Sequence, residues 1–320
     1  MRLTHDEALD LATAAARAAG AGDATARALA EATVAAEWAG SRAVGFAHLP
    51  DYLDGLRSGR IDGHAAPEIS FPAPAAVRVD VRRGIAQRGF DEAFDAFVER
   101  TRSGGVAVLT LHDSYTVGEL GYYTRRLAQQ GLVALAACNA TAQVTTLESG
   151  RPVFGTNPLS FAAPTTGARP FVIDQASSAT AFVRLRQAAA EGAAIPEGWA
   201  VDARGEPTTS ALAALSGLLL PFGGARGAHI AMIVEILGAG LTGGHWSIDA
   251  PHYAEGTTSP AVGLFVTAFD PERLVPGFAA RLTAQIERLA ALGVRIPGSH
   301  LDITALDIPE ALVAALRAGA

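Results

Sequence analysis

The chain has 320 residues, 49% of them hydrophobic, enough to bury a sizeable core as one large domain or two ordinary ones. Its net charge of -7, from 32 acidic and 25 basic side chains spread along the sequence, leaves no basic stripe for nucleic acid and no polybasic anchor for a membrane. All the basic side chains counted there are arginines, and without a lysine amine a Schiff-base aldolase, a pyridoxal phosphate enzyme and a Walker-type NTPase are excluded.

Thr4-His5-Asp6-Glu7 has capping-box spacing, and Asp23 after Gly20-Ala21-Gly22 reads as a second cap, so Ala-rich helices are expected over 5–19 and 24–39. A short helix is expected at 50–58, and the Pro- and Ala-rich stretch 64–77 reads as a crossing between subdomains. Alternation in Val77-Arg78-Val79-Asp80-Val81 predicts a strand, 91–102 a helix, and the β-branched run 106–111 a strand. A helix at 118–130 then precedes a buried apolar strand at 132–138, with further strands near 143–147, 171–174 and 262–268 and helices around 275–292 and 308–317. This alternation argues for an α/β domain with a mixed or parallel sheet over 76–269, joined to a helical subdomain formed by 1–75 plus about 270–320.

Cys138 is the only cysteine, so intrachain disulfides are excluded, and its place in the apolar run 132–138 makes it a packing residue rather than a nucleophile. No apolar stretch approaches the roughly 18 to 20 residues that span a bilayer, and the polar N-terminus does not read as a signal peptide, so a cytoplasmic protein is expected.

Gly238-Ala239-Gly240-Leu241-Thr242-Gly243 matches the literal dinucleotide pattern, but that fingerprint needs a strand before the glycines and a helix after. Here Ile230–Leu237 leads in with helix-like composition, so a close-packed helix ending in glycines is expected instead. No Gly-x-Ser-x-Gly elbow and no His-Glu-x-x-His is present, and with His245 and His252 seven residues apart no metal site is expected.

Four segments are specific in combination: Tyr52–Ile61, Gly155–Pro164, Ile173–Ser178, and the pair Pro196-Glu197-Gly198-Trp199-Ala200 with Leu220-Pro221-Phe222-Gly223-Gly224-Ala225-Arg226-Gly227. Their order and spacing resemble the malate/L-lactate dehydrogenase family, over nearly the whole chain. The resemblance implies a dimer whose mixed-sheet cofactor domain is not a Rossmann fold. It also implies that NADH or NADPH is bound by Ile173, Asp174, Gln175, Ala176, Ser177, Ser178 and Ala179, by Ala225 and Arg226, and by the Pro297-Gly298-Ser299 turn. Small residues after Asp174 suit close approach of a phosphate, and the glycines around Arg226 suit a guanidinium reaching an anionic cofactor.

The chain also departs from the family pattern. Where the family carries Ser-His-Gly, whose histidine donates the proton, followed three residues later by an arginine suited to a substrate carboxylate, this sequence reads Ala43-Val44-Gly45 and then His48; Thr116 stands at a further family histidine. Reducing a ketone builds negative charge on oxygen and needs a proton donor, which Val44 cannot supply. A cyclic imine can be protonated on nitrogen before hydride arrives, and the stretch from Asp174 resembles the cyclic ketimine reductase branch. An NAD(P)H-dependent reductase of a C=N bond next to a carboxylate is therefore expected. Asp174 orients cofactor or stabilises the iminium, and His48 binds the carboxylate or relays a proton. Two alternatives remain open at this point: a 2-hydroxyacid dehydrogenase acting on malate, lactate or sulfolactate, with His48 or His112 as acid and base, and a dinucleotide-binding family member without catalysis. The exact imino or oxo acid and the preference between NADH and NADPH are not legible in the sequence.

Overall fold

The chain, described over residues 1–298 and 305–319 in a computed structural model, opens with β1 (Arg2–Leu3) and α1 (His5–Ala18). The capping box forms as its spacing predicts: the Glu7 amide donates to Thr4 Oγ1 at 3.3 Å and the Thr4 amide to Glu7 Oε2 at 2.8 Å. α2 (Asp23–Trp38) starts one residue earlier than expected, capped by Gly22 without a side-chain bond; Asp23 accepts instead from Arg17 Nε at 2.8 Å. A 3-10 turn at Arg42–Val44 leads to α3 (Leu49–Arg57).

The stretch 64–77 is more than a crossing, because its second half pairs as β2 (Glu68–Ala73) against β3 (Ala76–Asp80). Pro72 obscures this strand in the sequence and is tolerated because β2 is a sheet edge, where a missing N–H costs no ladder bond. α4 (Ala86–Gly104), β4 (Val106–Ser114), α5 (Gly121–Gln129), β5 (Val133–Cys138), β6 (Leu159–Ala163) and β7 (Phe171–Gln175) follow. Next come α6 (Phe182–Ala190), β8 (Ala200–Val201), β9 (Pro207–Thr208), α7 (Ala211–Ala214), β10 (Leu218–Leu219) and α8 (Ala225–Glu235). β11 (Val262–Phe269), α9 (Pro271–Leu274), α10 (Phe278–Ala291), β12 (Leu306–Asp307) and α11 (Glu310–Ala318) complete the fold.

Seven strands form the main sheet in the order β2-β3-β4-β11-β5-β6-β7, with only β3 and β4 parallel, so the sheet is mixed, one of the two forms expected. Phe90, Phe97, Leu109, Leu111, Tyr123 and Leu127 are fully buried in its core. A second core joins α1, α2 and α3 to Leu306, Ile308, Val313 and Leu316 near the C-terminus. A third lies under the small sheet β10-β8-β9. The strand expected near 143–147 does not form: Val144 makes only isolated bridges, to Phe154 and to Leu219 of β10. No helix among the described residues is long and apolar enough to cross a membrane.

The glycine run lies in a helix, as its context predicts: α8 continues into a π turn at Ile236–Gly240. Its glycines serve packing. A methyl on Gly238 would lie 2.7 Å from the Asn139 amide nitrogen, and one on Gly263 of β11 would lie 2.0 Å from the Gly238 carbonyl oxygen, so the π turn rests directly on the sheet backbone. Gly238→Ala is therefore expected to lower stability by about 1–3 kcal/mol in urea denaturation of the cofactor-free protein; an unchanged midpoint and slope would show that the turn can move away from β5.

Candidate active site

The loop from Ser114 to Gly121, joining β4 to α5, is held from below by three buried side chains. Tyr52 donates its hydroxyl to Thr116 O at 3.1 Å. Gln87 Nε2 donates to Tyr52 Oη at 2.9 Å and to Val117 O at 3.2 Å, and the Tyr123 hydroxyl donates to Val117 O at 2.7 Å. Burial pushes the Tyr52 phenol up to about 12, so it remains a hydrogen-bond donor at neutral pH.

His48 caps α3 at one end of this loop. Its Nδ1 lies 2.7 Å from Asp51 Oδ2 and its Nε2 3.3 Å from Thr116 Oγ1, and the rings of Tyr52 and Tyr253 meet it edge-on at 5.1 and 5.6 Å. Both ring nitrogens are engaged, which suits a relay between Asp51 and Thr116 better than a carboxylate anchor. Ala43 and Val44 sit on the 3-10 turn just before, with no proton to exchange. The turn itself is tightly fixed. Glu37 Oε1 accepts from the Phe46 amide at 2.8 Å, and a methyl on Gly45 would lie 2.6 Å from that oxygen, so a side chain there would have to displace the Glu37 carboxylate from this bond. Burial raises the Glu37 carboxyl, against the lowering by the Phe46 amide.

Asp174 stands at the other end of the loop, near the end of the edge strand β7, and accepts from the Gly121 amide at 2.7 Å. The residue itself presents surface to solvent, while its carboxyl is hemmed in at the start of α5. Desolvation, reinforced by the charge of Glu119, pushes that carboxyl up to about 6, against the lowering by the Gly121 and Leu120 amides and the Arg125 guanidinium. Cys138, at the end of β5, is buried, and burial together with the Asp174 charge pushes its thiol well up, consistent with an inert packing role. His112 bonds elsewhere, Nδ1 lying 3.0 Å from Val79 O and Nε2 3.4 Å from Arg78.

From Asp174 the chain runs into a crossing of backbone. The Ser177 amide donates to Thr156 O at 2.8 Å and its hydroxyl to Asn157 O at 2.7 Å. The Ala179 amide donates to Leu220 O at 2.8 Å and the Phe222 amide to Ser177 O at 3.0 Å, which lays 177–179 along 220–222. Beside this crossing lies a cavity of about 530 Å³ bordered by Ala179, Trp199, Pro221, Gly223, Gly224 and Ala225, among others. Its lining sets the start of α8, which suits an anionic group of a dinucleotide, beside the carboxyl-bearing Glu148 and Glu197. α8 has no side-chain N-cap, Gly223 and Gly224 adopt φ of 58° and 65° with open space where side chains would stand, and the first-turn amides are left for an anion. Arg226, exposed on the same turn, has no hydrogen-bond or ion-pair partner among the described residues.

Of the residues expected to bind cofactor, Ala179 and Ala225 line the cavity and Arg226 adjoins it; Ile173, Asp174, Gln175, Ala176, Ser177 and Ser178 lead up to it along β7 and the crossing. Gly298 is a turn glycine at φ 74° that is not among the lining residues, and Ser299 lies outside the described residues. The crossing is tied to α8 by a buried network: Asn157 Nδ2 donates to Glu235 Oε2 at 2.7 Å, and Ser247 donates to the same carboxylate through its amide and hydroxyl at 2.6 Å each. Among the described residues no group of histidine, cysteine and acidic side chains could hold a metal ion. Sequence reasoning named Tyr52 only as part of a family segment and missed Gln87 and Glu119; the bonds Tyr52–Thr116, Gln87–Val117 and Glu119–Ser41 span 64, 30 and 78 residues and leave no local pattern.

The family model for malate/L-lactate dehydrogenase matches residues 3–303. The chain is 39% identical over 286 residues, 88% of its length and 84% of the relative's, to a Δ1-pyrroline-2-carboxylate/Δ1-piperideine-2-carboxylate reductase of Pseudomonas putida. It is 37% identical over 320 residues, 98% of its length and 96% of the relative's, to a (2R)-3-sulfolactate dehydrogenase (NADP(+)) of Chromohalobacter salexigens. The crystal structure of Δ1-piperideine-2-carboxylate reductase from Pseudomonas syringae superposes with a TM-score of 0.94 at 34% identity, covering 100% of each chain.

The raised Asp174 carboxyl has a consequence for stability. The folded protein binds that proton more tightly than the unfolded chain, whose reference value is 3.8, so this group's contribution is full below about 4 and is lost as pH rises through about 6. Asp174→Asn removes the loss. In urea denaturation at pH 4 and pH 7 the variant should gain stability over wild type at the higher pH; a constant difference across that range would contradict the raised carboxyl.

Proposed function

Because the chain belongs to the malate/L-lactate dehydrogenase family, we propose that it is an NAD(P)H-dependent reductase of a cyclic imino acid whose C=N bond lies next to a carboxylate. The observation that carries this reading is a 3-10 turn kept in place by Glu37 and Gly45 but without an acid at Ala43 or Val44, opposite a carboxyl at Asp174 whose proton affinity is close to neutral. A carbonyl oxygen needs an acid at the moment it becomes an alkoxide; an imine nitrogen needs only to be protonated beforehand, and a carboxyl titrating near 6 is matched to that task.

In this reading Ile173–Ala179, Ala225 and Arg226 hold the dinucleotide, and the anionic groups meet the uncapped start of α8. The reduced nicotinamide, when bound, supplies hydride to the C=N carbon. Asp174 holds a proton for the substrate nitrogen and, once ionised, faces the resulting cation. His48, oriented by Asp51, keeps the Thr116 hydroxyl aligned and moves a proton along that pair, while the rings of Tyr52 and Tyr253 wall off solvent around it.

A second reading, a 2-hydroxyacid dehydrogenase of the sulfolactate type, is favoured by the 37% identity to that relative over 98% of the chain. We place the protein in the cytoplasm as a homodimer. The exposed Leu274 and Val275 with Phe278 border an apolar groove and α10 buries none of its residues, a face that a second copy would cover.

Nicotinamide oxidation with Δ1-piperideine-2-carboxylate or Δ1-pyrroline-2-carboxylate is expected to exceed that with pyruvate, oxaloacetate or sulfopyruvate by on the order of 10²-fold in kcat/KM, the scale of one general-acid contribution. Equal or faster turnover of the oxo acids would replace the imine reading with the second one. His48→Ala should lower kcat/KM for the imino acid by about 10²-fold; an unchanged value removes His48 from the reaction.

A further inference from the structure

Glu119 is buried, only 5% exposed, directly before the turn that starts α5. Its Oε1 accepts from Arg125 Nη2 at 2.5 Å and from Ser41 Oγ at 3.2 Å, the serine lying just ahead of the 3-10 turn that carries Val44. Its Oε2 is buried with no partner among the described residues. A methyl on Gly121 would lie 3.1 Å from Glu119 Oε1, 3.1 Å from Asp174 Oδ2 and 3.3 Å from Arg125 Nη2, so the two carboxyl groups face each other across that glycine within roughly 6 Å.

A buried carboxylate with one oxygen unsatisfied is costly to keep, and Ser41 and Arg125 both use the other oxygen, leaving Oε2 with no structural partner among the described residues. We propose that Glu119 is a positioning residue for the proton held at Asp174, a second negative charge that keeps this proton available to the substrate nitrogen at neutral pH. The inference rests on the imine reading above.

Every group facing Asp174 enters the balance. The Gly121 and Leu120 amides and Arg125 favour its ionised form; Glu119 and the surrounding protein favour the protonated one. From β5 comes only the neutral Cys138 thiol, and from β6 Ser160, which stands opposite Asp174 in the ladder with its hydroxyl turned to Ile173 O at 3.1 Å and Thr124 Oγ1 at 2.7 Å. Among the described residues, Glu119 is thus the negative side chain that opposes Arg125 at this carboxyl. In the proton step, the Asp174 O–H bond breaks as an N–H bond forms on the imine. The two electrons and the hydrogen that complete the reduction enter at carbon from the nicotinamide. A solvent proton then re-forms the Asp174 O–H bond.

The test follows the Asp174 carboxyl by carbon NMR of aspartate-labelled protein without nicotinamide, assigned by the signal lost in Asp174→Asn, alongside the pH dependence of kcat/KM for Δ1-piperideine-2-carboxylate. Wild type should titrate near the value of about 6. Glu119→Gln removes the opposing charge, so the carboxyl should fall by about 1 pH unit and the alkaline limb of kcat/KM should move with it. Glu119→Asp should restore both, and Arg125→Gln should move both upward. A variant that loses activity while the titration and the limb stay at wild-type pH would reduce Glu119 to a packing role and overturn the proposal. If Glu119→Gln does not fold, Arg125→Gln decides alone: a carboxyl that stays or falls in it overturns the proposal equally. Turnover of cyclic imino acids by wild type without these shifts would end the role of Glu119 and leave the substrate reading standing; no turnover of any of them would end the substrate reading itself.

Discussion

The site depends on how the backbone between Ser114 and Gly121 is held. A loop crossing the interior exposes carbonyls that water cannot reach, and each must find a donor. Tyr52, Gln87 and Tyr123 supply those donors from α3, α4 and α5, and burial keeps the tyrosines protonated so that they continue to donate. Thr116 and Gly121 are thereby fixed at the two ends of one short segment. His48 takes its position from the first and Asp174 from the second, so the two groups proposed to handle protons share one rigid support.

A second buried network does the same for the backbone crossing beside the cavity. Asn157 adopts φ 39°, an unfavourable backbone for a side-chain-bearing residue, and is held there by bonds to Ala231 O and Glu235. Because Ser177 bonds to the Asn157 carbonyl and Ser247 to Glu235, the crossing at 177–179, the helix α8 and the turn at 245–248 are tied to one another. That coupling lets an uncapped helix start face the cavity at a fixed distance from the backbone beside it, which is what selective binding of an anionic group requires.

Much of the fold was legible because its signals are local. The Thr4–Glu7 capping box, the period-two alternation at 77–81 and the helical lead into Gly238 each depend on neighbours a few residues apart. The small sheet β10-β8-β9 was not legible, since strands of two residues carry no periodicity, and β2 was hidden by a proline that only its edge position excuses. In the site, the segments around 177 and 225 stood out only through their resemblance to the malate/L-lactate dehydrogenase family, whereas Glu119 left no signal at all. Its contact with Ser41 spans 78 residues, and its effect on Asp174 arises from the way α5 folds over the end of β7.

The turn at Arg42–Val44 separates two roles that a Ser-His-Gly segment combines. Gly45 and Glu37 preserve the backbone, and with it the approach of the chain to α3 and the placement of His48, while the acid is gone. A fold under pressure only to keep its packing would have no reason to hold Glu37 buried with a raised carboxyl for the sake of one amide at Phe46. Retaining that cost is understandable if the position of His48 still matters after position 44 has stopped donating protons. In the proposed reading the proton is held instead at Asp174, whose carboxyl accepts from the Gly121 amide of the same loop and has an affinity near neutrality. An acid at that place within this frame favours a substrate protonated before reduction over one protonated during it.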